Sequence, residues 1–577
     1  MQDVGASGGV IVVTGSRDQY GAGSVRSATR TDTPLQDVPQ AVSVVSERQI
    51  EDQAMRSIGD VLRYVPGATI GQGEGHRDQI TLRGNNSTAD FFIDGLRDDI
   101  QYYRPLYNLD RVEVLRGPNA MIFGRGGGGG VINRVTEVPI LGRQAVELAA
   151  ATSSFGAWHA EADFNQPLGD RVAARLNAVF EEFGNHRDAF DGRMYAANPT
   201  LRLLAGADTG LLFSFEHVDD ERVVDRGVPS ERQGTIADPA RPLPGFRDAF
   251  FGSREDNRMS FEGNILRATI EHRFSPDLNL LSRLLFADYD KFYRNAFAAT
   301  AVRVADGVRE VGIEAYQDGF QRENLFSQTD LVWRAETGRA SHTLLGGVEV
   351  GQQDSRNQRA NGFFGAGARR LLVPLADPLA IPAIDFRTGP GTGQRSTDSQ
   401  VEILAVYLQD QIELGAFEVL AGLRYDRLEI AVDDLVRGTS AARTDNLWSP
   451  RLGLVFHPVE EVSLYGSYAR SFLPQSGEQF NSLDLTAAAL EPERFDNYEI
   501  GAKWEPREGL LLSAAAYRLD RTNSRAPGQT PGSIVQIGEQ RSRGIELEAS
   551  GQIRPNWALA AGYALQEAEI RRTTSAA

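Results

Sequence analysis

Residues 401–411 read Val-Glu-Ile-Leu-Ala-Val-Tyr-Leu-Gln-Asp-Gln, and the alternation within this stretch decides the fold. Leu404, Val406 and Leu408 point to one side, while the residues between them point to the other. A period of two with a continuous apolar face is typical of a β-strand. The same alternation recurs along the chain from about Arg143 onward, so we expect an all-β architecture there.

The connections between these strands fall into two classes. Short polar or proline-bearing turns occur at 166–170, 205–209, 275–277, 336–339, 414–416, 457–460, 505–508 and 554–556. Long polar connections lie between them, at about 218–257, 290–323, 352–400, 427–446, 470–494 and 519–541. Short turns on one side and long loops on the other are typical of an outer-membrane β-barrel, although a porin would have the same pattern.

The turns also predict the number of strands. One strand starts near Arg143, and each short turn joins a returning strand to an outgoing one, which predicts about 17 strands with the last near 558–570. Bacterial barrels have an even, antiparallel count. We therefore expect residues 141–577 to be a C-terminally incomplete barrel that lacks about five of the 22 strands of plugged transporters.

Composition excludes several classes of function. The net charge of −18 argues against nucleic-acid binding, and the absence of cysteine excludes disulfides, iron–sulfur clusters and thiol catalysis. No apolar run reaches the ~18 residues of a membrane helix. The start of the chain lacks the features of a signal peptide, so we expect an exported chain from which it has been removed. Only Lys291 and Lys503 are lysine among 60 basic residues.

No catalytic or cofactor site is predicted. The glycine run at 126–130 is not followed by the lysine and hydroxyl residue of a phosphate-binding loop. Histidine and carboxylate residues do not occur at metal-ligand spacing. His217, His272, His342 and His457 are scattered over strands and turns, and we expect interfacial or solvated positions for them.

The N-terminal 140 residues have a different pattern. Residues 1–33 contain a β-prone run, which is either an ordinary strand or an extended peptide offered to the sheet edge of a partner. Its position in a terminal, tethered segment favours the second interpretation. The run consists of Val10, Ile11, Val12, Val13 and Thr14.

Residues 34–140 predict a small α+β domain. Ser46 followed by Gln49 has the spacing of a capping box. Residues 57–67 predict a helix that Pro-Gly stops. Short strands that end in turn residues are predicted at 80–84, 91–95 and 111–118.

The order of these motifs resembles that of TonB-dependent outer-membrane receptors. The plug motifs are IVVTG at 11–15, DVPQAVSVV at 37–45, LRYVPG at 62–67, LRG at 82–84, FFIDG at 91–95 and VEVLRGPNAMIFGRGGGGGVINRVT at 112–136. Barrel segments are similar to the siderophore branch, with catecholate-type receptors the most similar: DRGVPS at 225–230, AVYLQDQ at 405–411 and FDNYEIG at 495–501. The resemblance implies a plug inside the barrel lumen. The chain departs from the family pattern in one respect, because we expect the last barrel strands to be missing.

Four charged residues match family positions where plug arginines pair with barrel glutamates. Arg83 and Arg116 end plug strands, while Glu499 and Glu546 lie at matching heights on the polar face of barrel strands. The resemblance implies a releasable latch of charge-assisted bonds. The alternative is that both carboxylates are merely solvated in the lumen.

Ligand contacts are expected from two plug loops on the outer side, 71–79 and 97–108. Arginine and tyrosine would supply charge, cation–π contact and stacking for an anionic ferric catecholate. For the tyrosines, packing against the barrel wall is the alternative. The candidate ligand-binding residues are His76, Arg77, Gln101, Tyr102, Tyr103 and Arg104.

The expected function is active import of a ferric siderophore across the outer membrane of a Gram-negative bacterium. The resemblance implies that the C-terminal domain of TonB, with ExbB–ExbD, binds residues 10–14 and pulls. The chelated iron is cargo, so neither a cofactor nor a protein metal ligand is expected. We expect a monomer in contact with outer-membrane lipid. The alternatives are a passive gated porin and a receptor for haem, cobalamin or a carbohydrate; no enzyme motif survives in this context.

Overall fold

The N-terminal part of the chain folds as a small α+β plug. The computed structural model describes residues 20–235, 237–389, 395–480, 483, 488–527 and 534–573, so the run at 10–14 lies outside the described residues. The plug strands are β1 (Ser24–Val25), β2 (Thr33–Pro34), β3 (Val42–Ser46), β4 (Ala68–Ile70), β5 (Ile80–Leu82), β6 (Asn85–Ser87), β7 (Phe91–Ile93), β8 (Leu96–Arg97), β9 (Leu109–Arg116) and β10 (Gly130–Thr136). The helices are α1 (Glu47–Asp52), α2 (Ile58–Leu62) and α3 (Ala120–Phe123), with 3-10 turns at Leu35–Asp37 and Gly73–Gly75.

A five-stranded sheet in the order β3-β9-β10-β7-β8 forms the centre of the plug. Phe91, Val112 and Ile132 are fully buried on it and pack with the short helices. The helix starts follow from the sequence, because Ser46 and Ser57 accept hydrogen bonds from the backbone N–H three residues later. None of the helices in the described part of the chain is long and apolar enough to cross a membrane.

The rest of the described chain forms one antiparallel sheet. Its strands are β11 (Ala145–Thr152), β12 (Trp158–Gly169), β13 (Val172–Gly184), β14 (Asp191–Leu204), β15 (Thr209–Arg222), β16 (Arg258–Ser275), β17 (Leu278–Ala298), β18 (Arg303–Ala305), β19 (Val308–Thr337), β20 (Ala340–Phe363), β21 (Leu371–Pro374), β22 (Asp385–Arg387), β23 (Arg395–Leu414), β24 (Phe417–Asp434), β25 (Thr439–Val459), β26 (Val462–Leu473), β27 (Glu493–Arg507), β28 (Leu510–Pro527), β29 (Ile534–Arg554) and β30 (Trp557–Arg572). Of these 20 strands, β18, β21 and β22 have only three or four residues. Within the described residues, 17 long strands remain, as the turns predict.

Side chains alternate across this sheet as residues 401–411 predict. Leu404, Val406 and Leu408 are 45%, 50% and 62% exposed on the outer face, as expected for the apolar band of a membrane barrel. Ala405 and Gln409 on the opposite face are fully buried. The polar inner face therefore surrounds the plug.

The strands reach further outward than the sequence indicates. All eight predicted short turns join strands at the expected places. The predicted loop at 290–323 is instead mostly strand, because β17 and β19 stay paired from Leu278 to Ala298. An apolar cluster that includes Val311 and Ile313 stabilises this outer extension.

The plug lies inside the curve of the sheet. A methyl group added at Gly422 of β24 would contact Met121 of α3, and one at Gly453 of β25 would contact Pro39. On other strands, Arg322 of β19 binds Asp99 of the plug at 2.9 Å. These contacts come from well-separated strands, so the plug fills the lumen.

Candidate functional site

Arg83 is the centre of a buried ionic cluster between plug and barrel. It lies just after β5, and its Nη1 donates to Oε2 of Glu499 on β27 at 2.7 Å. Its Nε and Nη2 donate to both carboxylate oxygens of Glu546 on β29, at 3.0 and 2.8 Å. The guanidinium also lies over the ring of Tyr517, 4.0 Å from its centroid. This bidentate geometry is the strong form of the arginine–carboxylate bond.

Arg116 completes the cluster from the end of β9. Its Nη1 lies 3.4 Å from Oε2 of Glu546, and its Nη2 lies 2.6 Å from Oε2 of Glu548. Glu548 also accepts a hydrogen bond from Ser43 at 2.7 Å. The structure thus brings the four sequence-predicted residues together and adds Glu548 as a fifth.

The guanidinium of Arg83 stays charged although it is buried. Burial alone would lower the pKa of Arg83, but Glu499 and Glu546 outweigh it and raise that pKa above its ordinary value. Gly67 borders the cluster with a φ of +73°. A Cβ at Gly67 would lie 2.8 Å from Oε1 of Glu546, so only glycine fits this turn without moving the carboxylate.

Both lysines of the chain hold the plug by its backbone. Lys503 of β27 donates to the carbonyl groups of Leu35 and Val38, at 2.5 and 2.6 Å, at the inner end of the barrel. At the outer end, Lys291 of β17 donates to the carbonyl of His76 at 3.0 Å and to that of Gln101. An ammonium has three donors on a flexible stem, which suits converging carbonyls better than a guanidinium.

An outer cavity of about 350 Å³ separates the two plug loops from the barrel wall. It is polar and aromatic, with four basic and three acidic side chains. The lining residues are Glu74, His76, Arg77, Ile100, Gln101, Lys291, Tyr293, Asp318, Phe320, Asn357, Arg359, Arg395, Glu478 and Gln479.

Three sequence-predicted residues line this cavity. Arg77 binds Gln101 through Nη1 at 3.1 Å. His76 stacks on Tyr293 with the ring centroids 3.8 Å apart. Burial and the neighbouring charge of Lys291 hold the pKa of His76 well below its ordinary value, so this imidazole is neutral at physiological pH.

Tyr102, Tyr103 and Arg104 are not among the lining residues of this cavity. Tyr102 is 1% exposed and stacks on Phe261 at 4.3 Å. Arg104 is 1% exposed, and its Nε donates to Asp98 at 3.0 Å. Tyr103 packs against the buried apolar cluster that contains Tyr102 and Phe261. These three side chains therefore form the layer that supports the loop bearing Gln101.

The segment before the plug is fixed inside the barrel from residue 20 onward. Arg30 donates to the hydroxyl of Tyr407 at 2.6 Å and pairs with Asp330 at 3.2 Å. Val25 and Thr29 are fully buried. The expected linker at 1–33 therefore packs against the barrel wall over its described part.

Family models match most of this architecture. The model described as "TonB-dependent Receptor Plug Domain" matches residues 34–131, and "TonB dependent receptor-like, beta-barrel" matches residues 197–576. The chain belongs to the TonB-dependent receptor family. This receptor is therefore an outer-membrane β-barrel protein of a Gram-negative bacterium.

Individual relatives of the receptor agree with this assignment. The probable TonB-dependent receptor BfrD of Bordetella pertussis is 30% identical over 98% of this chain and 79% of its own length. The metal-pseudopaline receptor CntO of Pseudomonas aeruginosa is 29% identical over 96% and 77%. The catecholate siderophore receptor Fiu of Escherichia coli K12 is 25% identical over 97% and 79%. The closed structure of Fiu superimposes with a TM-score of 0.81 at 23% identity, covering 94% of this chain and 82% of that one.

Sequence reasoning missed several residues of the receptor that the fold brings to these sites. Glu548 was recognisable, because it lies two residues after Glu546 and so shares its face of β29. Lys291 carried a weak signal as one of two lysines in the chain. Arg359 and Arg395 carried none, since both belong to stretches interpreted as long outer loops.

Proposed function

We propose that this receptor binds a ferric siderophore of the catecholate kind at its outer cavity and imports it with energy from TonB. The observation that carries the proposal is the cavity itself, which both plug loops and the barrel wall enclose together. A ligand held there contacts both the plug, which moves during transport, and the barrel, which stays fixed. Binding can therefore be coupled to plug release.

The chemistry of the cavity suits an anionic, ring-bearing chelate. Asp318 is already paired, with Arg359 at 3.7 Å and Arg395 at 3.4 Å. Arg77 likewise pairs with Glu74 at 3.1 Å. These guanidinium groups keep free donors that can turn to an incoming anion, and the lining aromatic rings can stack on catechol rings. Iron that is fully chelated needs no protein ligand.

The buried cluster at Arg83 supplies the resting seal. A charge-assisted cluster can exchange its partners for water when the plug moves, whereas an apolar interface would resist wetting. We infer that TonB, driven by ExbB–ExbD, grips Val10–Thr14 as an added strand and pulls on the plug. Loosening of the cluster then opens a path for the cargo through a monomeric barrel. The receptor transports its cargo without a catalytic step.

A second cargo class is favoured by one comparison. CntO, whose name specifies a metal-pseudopaline complex, is more similar in sequence than the catecholate receptor Fiu. The same basic and polar lining would also bind another anionic metal chelate. A test of uptake must therefore offer the receptor both classes of cargo.

Iron uptake by cells that express the full receptor tests the proposal. Cells should take up a ferric tris-catecholate, and deletion of residues 10–15 should abolish uptake while surface binding persists. Unchanged uptake after this deletion would favour a passive porin. Failure of every catecholate, with uptake of metal-pseudopaline instead, would reject the catecholate assignment and retain the TonB-driven receptor.

A further inference from the structure

Three potential metal ligands meet where the plug touches the inner rim of the barrel. Asp37 ends the first 3-10 turn of the plug, Glu418 lies at the start of β24, and His457 lies near the end of β25. Nε2 of His457 is 3.4 Å from Oδ1 of Asp37 and 3.1 Å from Oε1 of Glu418. The three ligand atoms all lie within 4.8 Å of one another.

These separations fit a tetrahedral zinc site. Zinc binds imidazole nitrogen and carboxylate oxygen at about 2.0–2.2 Å, so neighbouring ligand atoms of a tetrahedron are about 3.4 Å apart. The two distances from His457 of 3.4 and 3.1 Å are close to this value. An all-oxygen cation such as Mg²⁺ or Ca²⁺ would not favour the imidazole.

Hydrogen bonding among the three side chains leaves the negative charge poorly compensated. A single Nε2–H can donate one good hydrogen bond, and here two carboxylates approach the same nitrogen. Glu413 adds a third carboxylate to the cavity that Asp37 and Glu418 line. Four arginines line the same cavity, but Arg26, Arg30 and Arg273 pair with carboxylates outside this cluster. The nearby ammonium of Lys503 is directed to the carbonyl groups on either side of Asp37. A divalent cation would satisfy both carboxylates at once.

The backbone around Asp37 is held in place before any ion binds. Lys503 fixes the carbonyl groups of residues 35 and 38. Ser463 donates to the carbonyl of Gln36 at 2.9 Å, and the side chain of Gln36 donates to Glu505 at 3.1 Å. A metal site gains affinity when its ligands are already positioned. The adjoining cavity of about 440 Å³ gives room for a water ligand and for entry of the ion.

We propose that Asp37, Glu418 and His457 bind a zinc ion with water in the fourth position. The ion ties the plug to the turn side of β24 and β25, whereas the cluster at Arg83 ties it to β27 and β29. It is separate from the cargo, because this cluster lies at the short-turn end of the barrel and the cargo cavity at the long-loop end. The residues are 37, 418 and 457, so no local spacing indicates the site.

Zinc binding to the purified full-length receptor tests this site. The receptor is stripped with a chelator and titrated with inorganic Zn²⁺ against a chromophoric competitor, without any siderophore present. We expect one tight zinc site. His457→Ala should lower its zinc affinity by about tenfold to a hundredfold or more, because even the loss of a residue that only supports a metal ligand lowers affinity by that factor. Glu418→Gln and Asp37→Asn should weaken it as well. The matched control is His342→Ala, because His342 at another short turn contacts the single carboxylate of Asp410 at 2.8 Å.

A second measurement on the unaltered receptor avoids reliance on variants that could misfold. Zinc K-edge absorption should report four nitrogen or oxygen ligands at about 2.0–2.2 Å, together with the outer-shell scattering of one imidazole ring. The proposal is overturned if Zn²⁺ binds no more tightly to the wild type than to His457→Ala, or if His342→Ala is weakened equally. A zinc shell without imidazole scattering would overturn it too, and would leave contacts with the two carboxylates as the role of His457.

Discussion

Replacing Arg83 with methionine should loosen the plug more than any exposed substitution. Arg83 makes bonds of 2.7, 3.0 and 2.8 Å to Glu499 and Glu546, and the three side chains are 0%, 0% and 2% exposed. Methionine keeps the length of the side chain but removes the guanidinium partner of two buried carboxylates. Removing one partner of a buried pair costs about 3–5 kcal/mol.

The structure places the expected cost near the lower limit of that range. Glu546 keeps Arg116 at 3.4 Å. Glu499 keeps the hydroxyl of Tyr465 at 2.8 Å and the backbone N–H of Ala41 at 2.7 Å. A cost of about 3 kcal/mol corresponds to a roughly 150-fold increase in the open population of the plug.

The absence of cysteine from the chain provides a direct assay. Val114 is fully buried in β9, so Val114→Cys reacts with a thiol reagent only when the plug opens. Labelling of Arg83→Met in this background should be about 150-fold faster. Arg48→Met is the control, because Arg48 forms an exposed pair with Asp52 whose side chains are 50% and 34% exposed; such pairs contribute at most about 1 kcal/mol.

Two results would refute this reasoning about the cluster. One is labelling of Arg83→Met no faster than that of Arg48→Met. The other concerns the neutralised variant, in which Glu499→Gln and Glu546→Gln are added to Arg83→Met. Stranded charge should make the single substitution worse than the neutralised combination, so equal or faster labelling of the combination would assign the effect to lost packing.

Three further predictions use the same labelling assay or cargo binding. Gly67→Ala should destabilise the plug more than Gly142→Ala, because both glycines have positive φ but a Cβ would contact the ionic cluster only at Gly67. Equal effects would contradict a steric requirement for glycine at Gly67. Lys291→Met should weaken binding of a ferric tris-catecholate, whereas Lys503→Met should loosen the plug and leave the affinity for this chelate unchanged. The opposite pair of results would show that the cargo does not bind in the outer cavity. Burial and the charge of Glu478 raise the pKa of Asp90 to about 6. Protonation of Asp90 therefore stabilises the plug fully below about pH 4, and this contribution is lost as the pH rises through about 6. Asp90→Asn should make plug stability less dependent on pH between these values. An unchanged pH profile would contradict the role of Asp90.

The sequence alone was sufficient for the barrel strands and their short turns because these signals are local. A period of two and turn residues depend only on neighbours along the chain, so the strand count and all eight short turns agree with the structure. Helix caps at Ser46 and Ser57 were predictable for the same reason. The outer ends of β17 and β19 were not, because polar strands there are held by pairing with each other rather than by their own pattern.

Site residues were predictable where strand register, a plug motif or the position of a plug loop fixed them. Glu499 and Glu546 could be placed on the inner face by alternation, and the structure brings both to Arg83. Burial of Tyr102 could not be foreseen, because it depends on Phe261 from a distant strand. Arg359 likewise reaches the outer cavity only through the three-dimensional fold.

The most direct test of the account is to locate bound iron. Crystals of the receptor grown with a ferric tris-catecholate would give an anomalous iron signal at the iron absorption edge. The account predicts one peak within the outer cavity, with the chelate in contact with Arg77 of the plug and Arg359 of the barrel. A peak outside that cavity, or a chelate that touches the barrel loops but not the plug, would contradict it.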